Sequence, residues 1–371
     1  MARTAYRPEK KVSVAAVLTV AATYGYFLLF AQFGFLSAVV TVAGAGAVKP
    51  VMGAMGLAGV AGSVGAAMLY QERRSRRLLA AGLGVCAIAA GLSLLAESVG
   101  WLLLVAALVG LGTGGATVTL ASLLSRAVGR GRLGVVIGLG TGLAYAFCNL
   151  PGVFTAGPRV QAGLAMLLAG AGALATRSLT LDAPAGVPEG FDYSLPGQVL
   201  WTLIFTALVG LDSAAFYIIQ HTPVLQAGTW AGSGRLLANA GGHLLAALLA
   251  GYALDRRRAG WTVGAGAIAL LAAGGLLGGS APVFAGGALL YAAGVSVYST
   301  ALVYYPASGR RPGLVALVYG VAGWGGSALG IGLAEGRHVL PGEFIVLAGG
   351  VILGALLVRW HYRRPEAAGE F

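Results

Sequence analysis

The sequence predicts an all-α integral membrane protein with twelve transmembrane helices in two six-helix bundles and with both termini, N- and C-, in the cytoplasm. Composition is the first reason: 58% of the 371 residues are hydrophobic and only 10% are charged, whereas a soluble domain carries about 25% charged residues. The second is a content of 62 glycines, which lets helix backbones approach closely in lipid. The strands of a membrane barrel would alternate polar and apolar side chains, and the apolar runs of this chain do not alternate.

The lengths of the apolar runs set the number of expected helices. A helix needs about 20 mainly apolar residues to cross the hydrocarbon core of a bilayer. Two separations between neighbouring runs are weak, because the stretch 36–48 is apolar and Pro282 alone divides the ninth run from the tenth. The expected spans are 13–35, 51–70, 78–96, 100–124, 133–155, 158–176, 197–221, 228–253, 260–280, 282–306, 312–334 and 340–360.

Basic residues support this topology because they fall on alternate loops, as Lys and Arg do on the cytoplasmic side of membrane proteins. Only Lys49, Arg159 and Arg337 fall in loops on the other side. The net charge of +12 is therefore a topological signal, and we expect membrane lipid, but no nucleic acid, as a partner. A multi-pass protein of the bacterial inner membrane is expected. The cytoplasmic set is Arg3, Arg7, Lys10, Lys11, Arg73, Arg74, Arg76, Arg77, Arg126, Arg130, Arg132, Arg177, Arg256, Arg257, Arg258, Arg310, Arg311, Arg359, Arg363 and Arg364.

The longest polar stretch, 177–196, divides the expected spans into six and six. Loops at equivalent positions of the two halves are similar, with ERRSRR at 72–77 and DRRR at 255–258. Parallel repeats of six spans are a known plan for membrane carriers. We therefore expect an N-terminal bundle at 1–176, a cytoplasmic linker at 177–196 and a C-terminal bundle at 197–371.

These charged loops give the chain a resemblance to the major facilitator superfamily that extends over essentially its whole length. The family's motif between spans two and three is Gly-x-x-x-Asp-Arg-x-Gly-Arg-Arg, and it is often repeated between spans eight and nine. The match is Gly251, Asp255, Arg256, Arg257 and Arg258 in the second copy, and Glu72, Arg76 and Arg77 in the first, where Met68 and Ser75 replace glycines.

The resemblance implies two bundles that rock about a central site, with a cytoplasmic gate formed by residues of both motif copies. The alternative for the first copy is that its arginines only follow the positive-inside rule. Span five contains Gly138, Gly140 and Gly142 but lacks the Gly-Pro of the family's antiporter signature, which disfavours a drug/proton antiporter. The gate residues implied are Glu72, Arg76, Arg77, Gly251, Asp255 and Arg256.

Ionisable residues inside the expected spans are few, and their cost in lipid makes each one a functional candidate. Asp212 in span seven and Arg235 in span eight lie at similar depth, so we expect them to pair or to share a polar cavity. Arg235, Asn239 and His243 follow at intervals of four residues and share one helix face. The functional interpretation is a substrate-binding face with Asp212 and His243 coupling protons; the alternative is a structural network between helices.

Span ten contains Tyr291, Tyr298 and Tyr305 at a seven-residue repeat. Tyrosine combines an apolar ring with one polar tip, and Tyr298 near mid-membrane is the expected substrate contact. Tyr305 is expected at the membrane interface, where tyrosine is enriched. In the first half, Tyr26 and Asn149 are the expected neutral binding residues.

These features favour a proton-coupled secondary transporter that moves a small solute by alternating access, with Arg235 favouring an anionic substrate. A second hypothesis is a transporter-like structural or assembly subunit of a larger membrane complex. A third is a carrier of copper or another metal, since Met52 and Met55 are possible soft ligands, although methionine more often serves as adaptable packing. No catalytic motif stands in a credible context, so no enzyme and no cofactor are expected.

Overall fold

The computed structural model describes residues 13–129, 131–181, 190–279 and 283–363. Within them the chain is helical and contains no β-strand. Arg3, Arg7, Lys10, Lys11, Arg130, Arg364, Pro282 and linker residues 182–189 lie outside these ranges. The long helices are α1 (Val14–Ala43), α2 (Ala45–Leu69), α3 (Glu72–Ser93), α4 (Val99–Ala127), α5 (Leu133–Cys148), α6 (Pro158–Ser178), α7 (Leu195–His221), α8 (Ser233–Asp255), α9 (Ala259–Leu277), α10 (Phe284–Gly309), α11 (Pro312–Ala334) and α12 (Gly342–Arg363).

Ten of these helices are long and apolar enough to cross a membrane. The other two, α5 and α12, are also apolar, but their apolar segments are shorter. Two short helices, Pro151–Phe154 and Pro223–Trp230, follow α5 and precede α8. The chain is therefore a multi-pass integral membrane protein, because so much apolar helix surface is stable only in lipid.

Helix α1 is longer than the sequence predicted. It does not end at residue 35 but continues to Ala43, through a π-helical segment at Phe27–Gly34. Gly44, with φ of +77°, then turns the chain into α2. The apolar stretch 36–48 is therefore mostly helix, and its hydropathy could not reveal the turn because glycine allows this backbone conformation without a polar signal.

Helix α8 begins later than the sequence predicted. Residues 223–230 form a separate short helix, and Gly232, with φ of +87°, precedes the first turn of α8 at Ser233. The apolar character of residues 228–231 predicts the start of a span. In the structure that character belongs to the short helix, where Trp230 is buried.

Glycines allow very close packing between α2 and α4. A Cβ on Gly110 would lie 2.2 Å from the carbonyl oxygen of Met55, and one on Gly114 would lie 2.2 Å from that of Gly59. Real Cβ atoms do not approach so closely, so these positions accept only glycine without a shift of the helices. The glycine pattern of α4 thus serves helix packing, as small residues do in other membrane helices.

The same kind of contact joins the two halves of the sequence, between α5 and α8. A Cβ on Gly251 would lie 2.2 Å from the carbonyl oxygen of Gly134, and one on Gly138 would lie 2.2 Å from that of Ala247. Further contacts between the halves pair α10 with α4 and α5, and α11 with α2. The space left between these helices forms a central cavity.

Candidate functional site

The central cavity has a volume of about 240 Å³ and is bordered by helices of both sequence halves. Residues of α1, α2, α4 and α5 line one side, and residues of α7, α8, α10 and α11 line the other. Both π-helical segments, Phe27–Gly34 and Val318–Gly325, contribute lining residues. π-Helical turns are frequent at functional sites, and here each departs from regular helix at the cavity wall.

Asp212 of α7 is the acidic residue of the cavity, and two tyrosines of α10 hold it. The Tyr291 hydroxyl donates to Oδ1 at 2.5 Å, and the Tyr298 hydroxyl donates to Oδ2. None of the described lining residues is Lys or Arg. The carboxylate is thus hydrogen-bonded by neutral donors and lies in a cavity without a lysine or arginine among its described lining residues.

His243 of α8 also lines the cavity and has two defined neighbours. Its Nδ1 is 2.7 Å from the hydroxyl of Ser296, and its ring stacks on Tyr145 with centroids 4.5 Å apart. Asn239, one turn away, donates from Nδ2 to the Thr229 carbonyl at 3.2 Å. Both side chains are buried and line the cavity, so the shared face of these two residues points inward.

Arg235 does not share that environment, and the predicted pairing with Asp212 is wrong. Its guanidinium donates to the Ala227 carbonyl at 2.7 Å, and the residue is exposed and does not line the cavity. The physical reason is the late start of α8. Arg235 lies in the first turn of this helix rather than seven residues inside a span.

The neutral residues expected from the first half are divided between the cavity and the core. Asn149 lines the cavity and donates to the Tyr145 carbonyl at 2.9 Å. Tyr26 is fully buried beside Phe30 and does not line the cavity. Tyr24 occupies the wall instead, and its hydroxyl lies 2.5 Å from that of Tyr319 in α11. This hydrogen bond joins the two sequence halves.

The sequence predicted that Tyr305 lies at the membrane interface, but its side chain packs inside the helix bundle. It is fully buried, and the ring of Tyr193 from the segment before α7 stacks on it with centroids 5.3 Å apart. The Tyr193 hydroxyl donates to the Tyr305 carbonyl at 3.1 Å. Trp201 and Phe205 of α7 pack against the same ring. The third tyrosine of the repeat therefore anchors the chain segment that leads into the second half.

Of the six residues assigned to the gate, Asp255 makes the most specific contact. Its two carboxylate oxygens accept the backbone N–H groups of Gly134 and Val135 at 2.8 and 2.9 Å. These groups belong to the first turn of α5, and the first N–H groups of a helix have no partner within it. Gly251, one turn before Asp255, provides the close contact with Gly134. Together these contacts fasten α8 to α5 at what we call the Asp255 end.

The remaining gate residues make more local contacts. Glu72 forms an ion pair with Arg126 of α4, within the same sequence half. Arg76 donates to the Leu179 carbonyl at 3.0 Å, Arg77 is exposed, and the Arg256 guanidinium lies 4.7 Å above the Tyr252 ring. At the opposite end of the molecule, Lys49 of α2 pairs with Glu335 next to α11 at 2.8 Å. We call this the Lys49 end.

Substitution of Asp255 tests the contribution of its contact with α5. Asp255→Ala removes a charged acceptor from two backbone donors, and we expect it to lower the free energy of unfolding by about 1–2 kcal/mol, given the partial exposure of the site. Thermal unfolding of purified protein in detergent measures this loss. Glu97→Ala removes an exposed carboxylate from the loop before α4 and should leave the midpoint unchanged. Equal midpoints for Asp255→Ala and wild type would contradict the assignment.

Comparison with solved structures finds similar architectures. The chain aligns with the human organic anion transporter MFSD10 over 95% of its own length and 99% of the other chain, with a TM-score of 0.67 and 14% sequence identity. It aligns with FucP, a transporter of the major facilitator superfamily solved in its outward conformation, over 94% and 99%, with a TM-score of 0.62 and 12% identity. No protein-family model and no curated protein matches the sequence. The chain therefore has the fold of the major facilitator superfamily.

Proposed function

We propose that this protein is a secondary transporter that moves a small solute across the membrane by alternating access and couples the movement to protons through Asp212. The observation that supports this most is the position of Asp212. A carboxylate stands in a cavity between the two sequence halves, held by Tyr291 and Tyr298, with no Lys or Arg among the described lining residues. Intramembrane acidic residues are costly and mark ion or substrate paths.

Protonation offers a physical reason for coupling. An ionised carboxylate in a cavity with few charges costs free energy of desolvation, and tyrosine hydroxyls reduce this cost without removing the charge. Binding of a proton or of a cationic solute removes it. Asp212 can therefore bind a proton when the cavity is open to one solution and a cationic solute when it is open to the other. Coupled transport requires such a difference in binding between the two states.

The contacts between the halves supply two ends that can open in turn. At the Asp255 end, α5 and α8 are joined by glycine contacts and by the Asp255 cap. At the Lys49 end, an ion pair joins α2 to the end of α11. The proposal includes twelve spans in two bundles, 1–176 and 197–371, joined by 177–196, with both termini and the Asp255 end in the cytoplasm of a bacterial cell. In this arrangement, opening one end while the other stays closed moves the cavity between the two solutions.

The sequence-based preference for an anionic substrate does not enter this proposal. It depended on Arg235 in the substrate path, and Arg235 lies away from the cavity. MFSD10 is described as an organic anion transporter. At 14% identity this likeness concerns the fold, and the described lining residues of the cavity include no Lys or Arg that would attract an anion.

Reconstitution of the purified chain alone into liposomes tests the proposal. Liposomes preloaded with an unlabelled solute should accumulate the labelled form transiently, and a panel of organic cations, sugars, amino acids and carboxylates identifies which solute does so. The alternative function as a subunit of a membrane complex predicts co-purification of stoichiometric partners. If no solute of the panel shows counterflow and stoichiometric partners co-purify with the chain, the subunit function is favoured.

A further inference from the structure

The central cavity has an electrostatic character that specifies the charge of its ligand. Asp212 is the acidic residue of the wall, and the described wall has neither Lys nor Arg. His243 is the other titratable group apart from the tyrosines and Cys148, and its Nδ1 is already engaged by Ser296. When Asp212 is ionised and His243 is neutral, the wall carries a net negative charge.

Asp212 also retains the capacity to bind a cation directly. A carboxylate has about four lone-pair positions, and the hydroxyls of Tyr291 and Tyr298 occupy one on each oxygen. The remaining positions can accept N–H groups from an ammonium ion. The two tyrosines fix the carboxylate on the cavity wall, so a ligand would meet an oriented acceptor.

The rest of the wall suits an apolar body rather than a polar one. Tyr145, Tyr291 and Tyr298 line the same cavity as Asp212, and aromatic rings attract organic cations. The volume of about 240 Å³ is below the ~300–1,000 Å³ of pockets for drug-sized ligands, which indicates a smaller molecule. Further aromatic wall residues are Phe27, Phe33, Phe154, Phe216, Trp230 and Trp324.

We propose that the cavity binds a small primary or secondary amine in its protonated form, with the ammonium group on Asp212 between Tyr291 and Tyr298 and an aromatic or aliphatic body against the apolar wall. This inference rests on the proposed function and names its substrate class. A proton and the ammonium compete for the same carboxylate. Binding of the amine and protonation of Asp212 therefore exclude each other, so the solute and the proton would move in opposite directions, although span five lacks the Gly-Pro of the antiporter signature.

A matched set of three probes tests this with the full chain in detergent. 2-Phenylethylamine, 2-phenylethanol and phenylacetate share a phenyl body and differ in charge. Titration calorimetry at neutral pH should show the amine binding at least about tenfold more tightly than the alcohol, as expected for a charge-assisted hydrogen bond, and phenylacetate binding more weakly than both. Equal affinities for amine and alcohol, a preference for phenylacetate, or no binding of the amine would overturn the proposal.

Two further measurements locate the preference. Asp212→Asn should bring the amine to the affinity of the alcohol, whereas the exposed-loop variant Glu97→Gln should behave as wild type. In wild type, acidification should weaken amine binding, since an alkylammonium with a pKa near that of lysine (about 10.4) stays charged while Asp212 is neutralised. The titratable groups that line the cavity with Asp212 are His243, Cys148 and six tyrosines, Tyr24, Tyr145, Tyr217, Tyr291, Tyr298 and Tyr319. If the amine affinity of Asp212→Asn still depends on pH, the remaining dependence is due to titration of His243.

The binding assay separates this inference from the proposed transport. Selective amine binding without counterflow of 2-phenylethylamine in liposomes would support the site and count against transport. Counterflow of another solute class, in a protein that does not bind the amine, would support transport and contradict the amine site.

Discussion

In proteoliposomes, the Asp212→Asn protein should lose solute accumulation driven by a pH gradient and should keep solute exchange at equal pH when the solute concentration is raised to offset weaker binding. Each unit of pH difference is worth about 1.4 kcal/mol per proton, which corresponds to about tenfold accumulation for a coupled transporter. Asparagine has nearly the same shape as aspartate but binds no proton in this pH range. The accumulation ratio of the variant should therefore fall to about one, measured with the solute identified by counterflow.

The control for this experiment removes a carboxylate elsewhere. Glu97→Gln lies in the exposed loop between α3 and α4 and should accumulate solute as wild type does. Retained pH-driven accumulation in Asp212→Asn would contradict the assignment of coupling to this residue. Loss of both accumulation and exchange even at high solute concentration, in a variant with a normal unfolding midpoint, would indicate that Asp212 is needed for solute movement itself and would leave coupling to another group, such as His243.

The second large effect is expected from one methyl group at Gly251. Gly251→Ala would place a Cβ 2.2 Å from the Gly134 carbonyl oxygen, so α5 and α8 must separate at the Asp255 end. Overpacking in a tight contact costs about 1–3 kcal/mol. The separation would also lengthen the two hydrogen bonds from Gly134 and Val135 to Asp255. Thermal unfolding in detergent should show a clearly lower midpoint than wild type.

Gly241 provides a matched control on the same helix. A Cβ at this position meets nothing within 4 Å, and alanine favours helix over glycine by about 0.5–1 kcal/mol. Gly241→Ala should therefore be neutral or slightly stabilising. If both alanine variants unfold at the wild-type midpoint, the close α5–α8 contact is not a feature of the folded protein.

The membrane location and the fold class of the chain were predictable from its sequence, because both depend on how lipid excludes charged residues. The hydrocarbon core of a bilayer excludes charge, so the apolar runs and basic clusters indicated an all-α membrane protein. The degenerate loop motifs indicated the major facilitator fold. The same reasoning directed attention to Asp212, Asn239, His243 and Tyr298, and these four residues line the cavity.

Features that depend on local backbone geometry were not predictable in this way. Arg235 was placed inside a span because residues 228–231 are apolar, and a break at Gly232 moved it to the first turn of α8. Tyr291 was noted only as part of a repeat. Its partner Asp212 is on another helix, 79 residues earlier in the chain, and no sequence spacing reports a contact of that kind. The sequence predicts Tyr26 as a binding residue, whereas Tyr24, two residues earlier, lines the cavity.

The central claim is that both solutions reach the cavity between the halves in turn, and the two cysteines of the chain allow a direct test. Cys148 lines the cavity, whereas Cys86 is buried in the core of the first half. In a Cys86→Ser background, a small membrane-impermeant methanethiosulfonate reagent should label Cys148 when added to sealed vesicles of either orientation, and Cys148→Ser should not react. Labelling from one side only under every condition of pH and solute, or from neither, would contradict alternating access through this cavity.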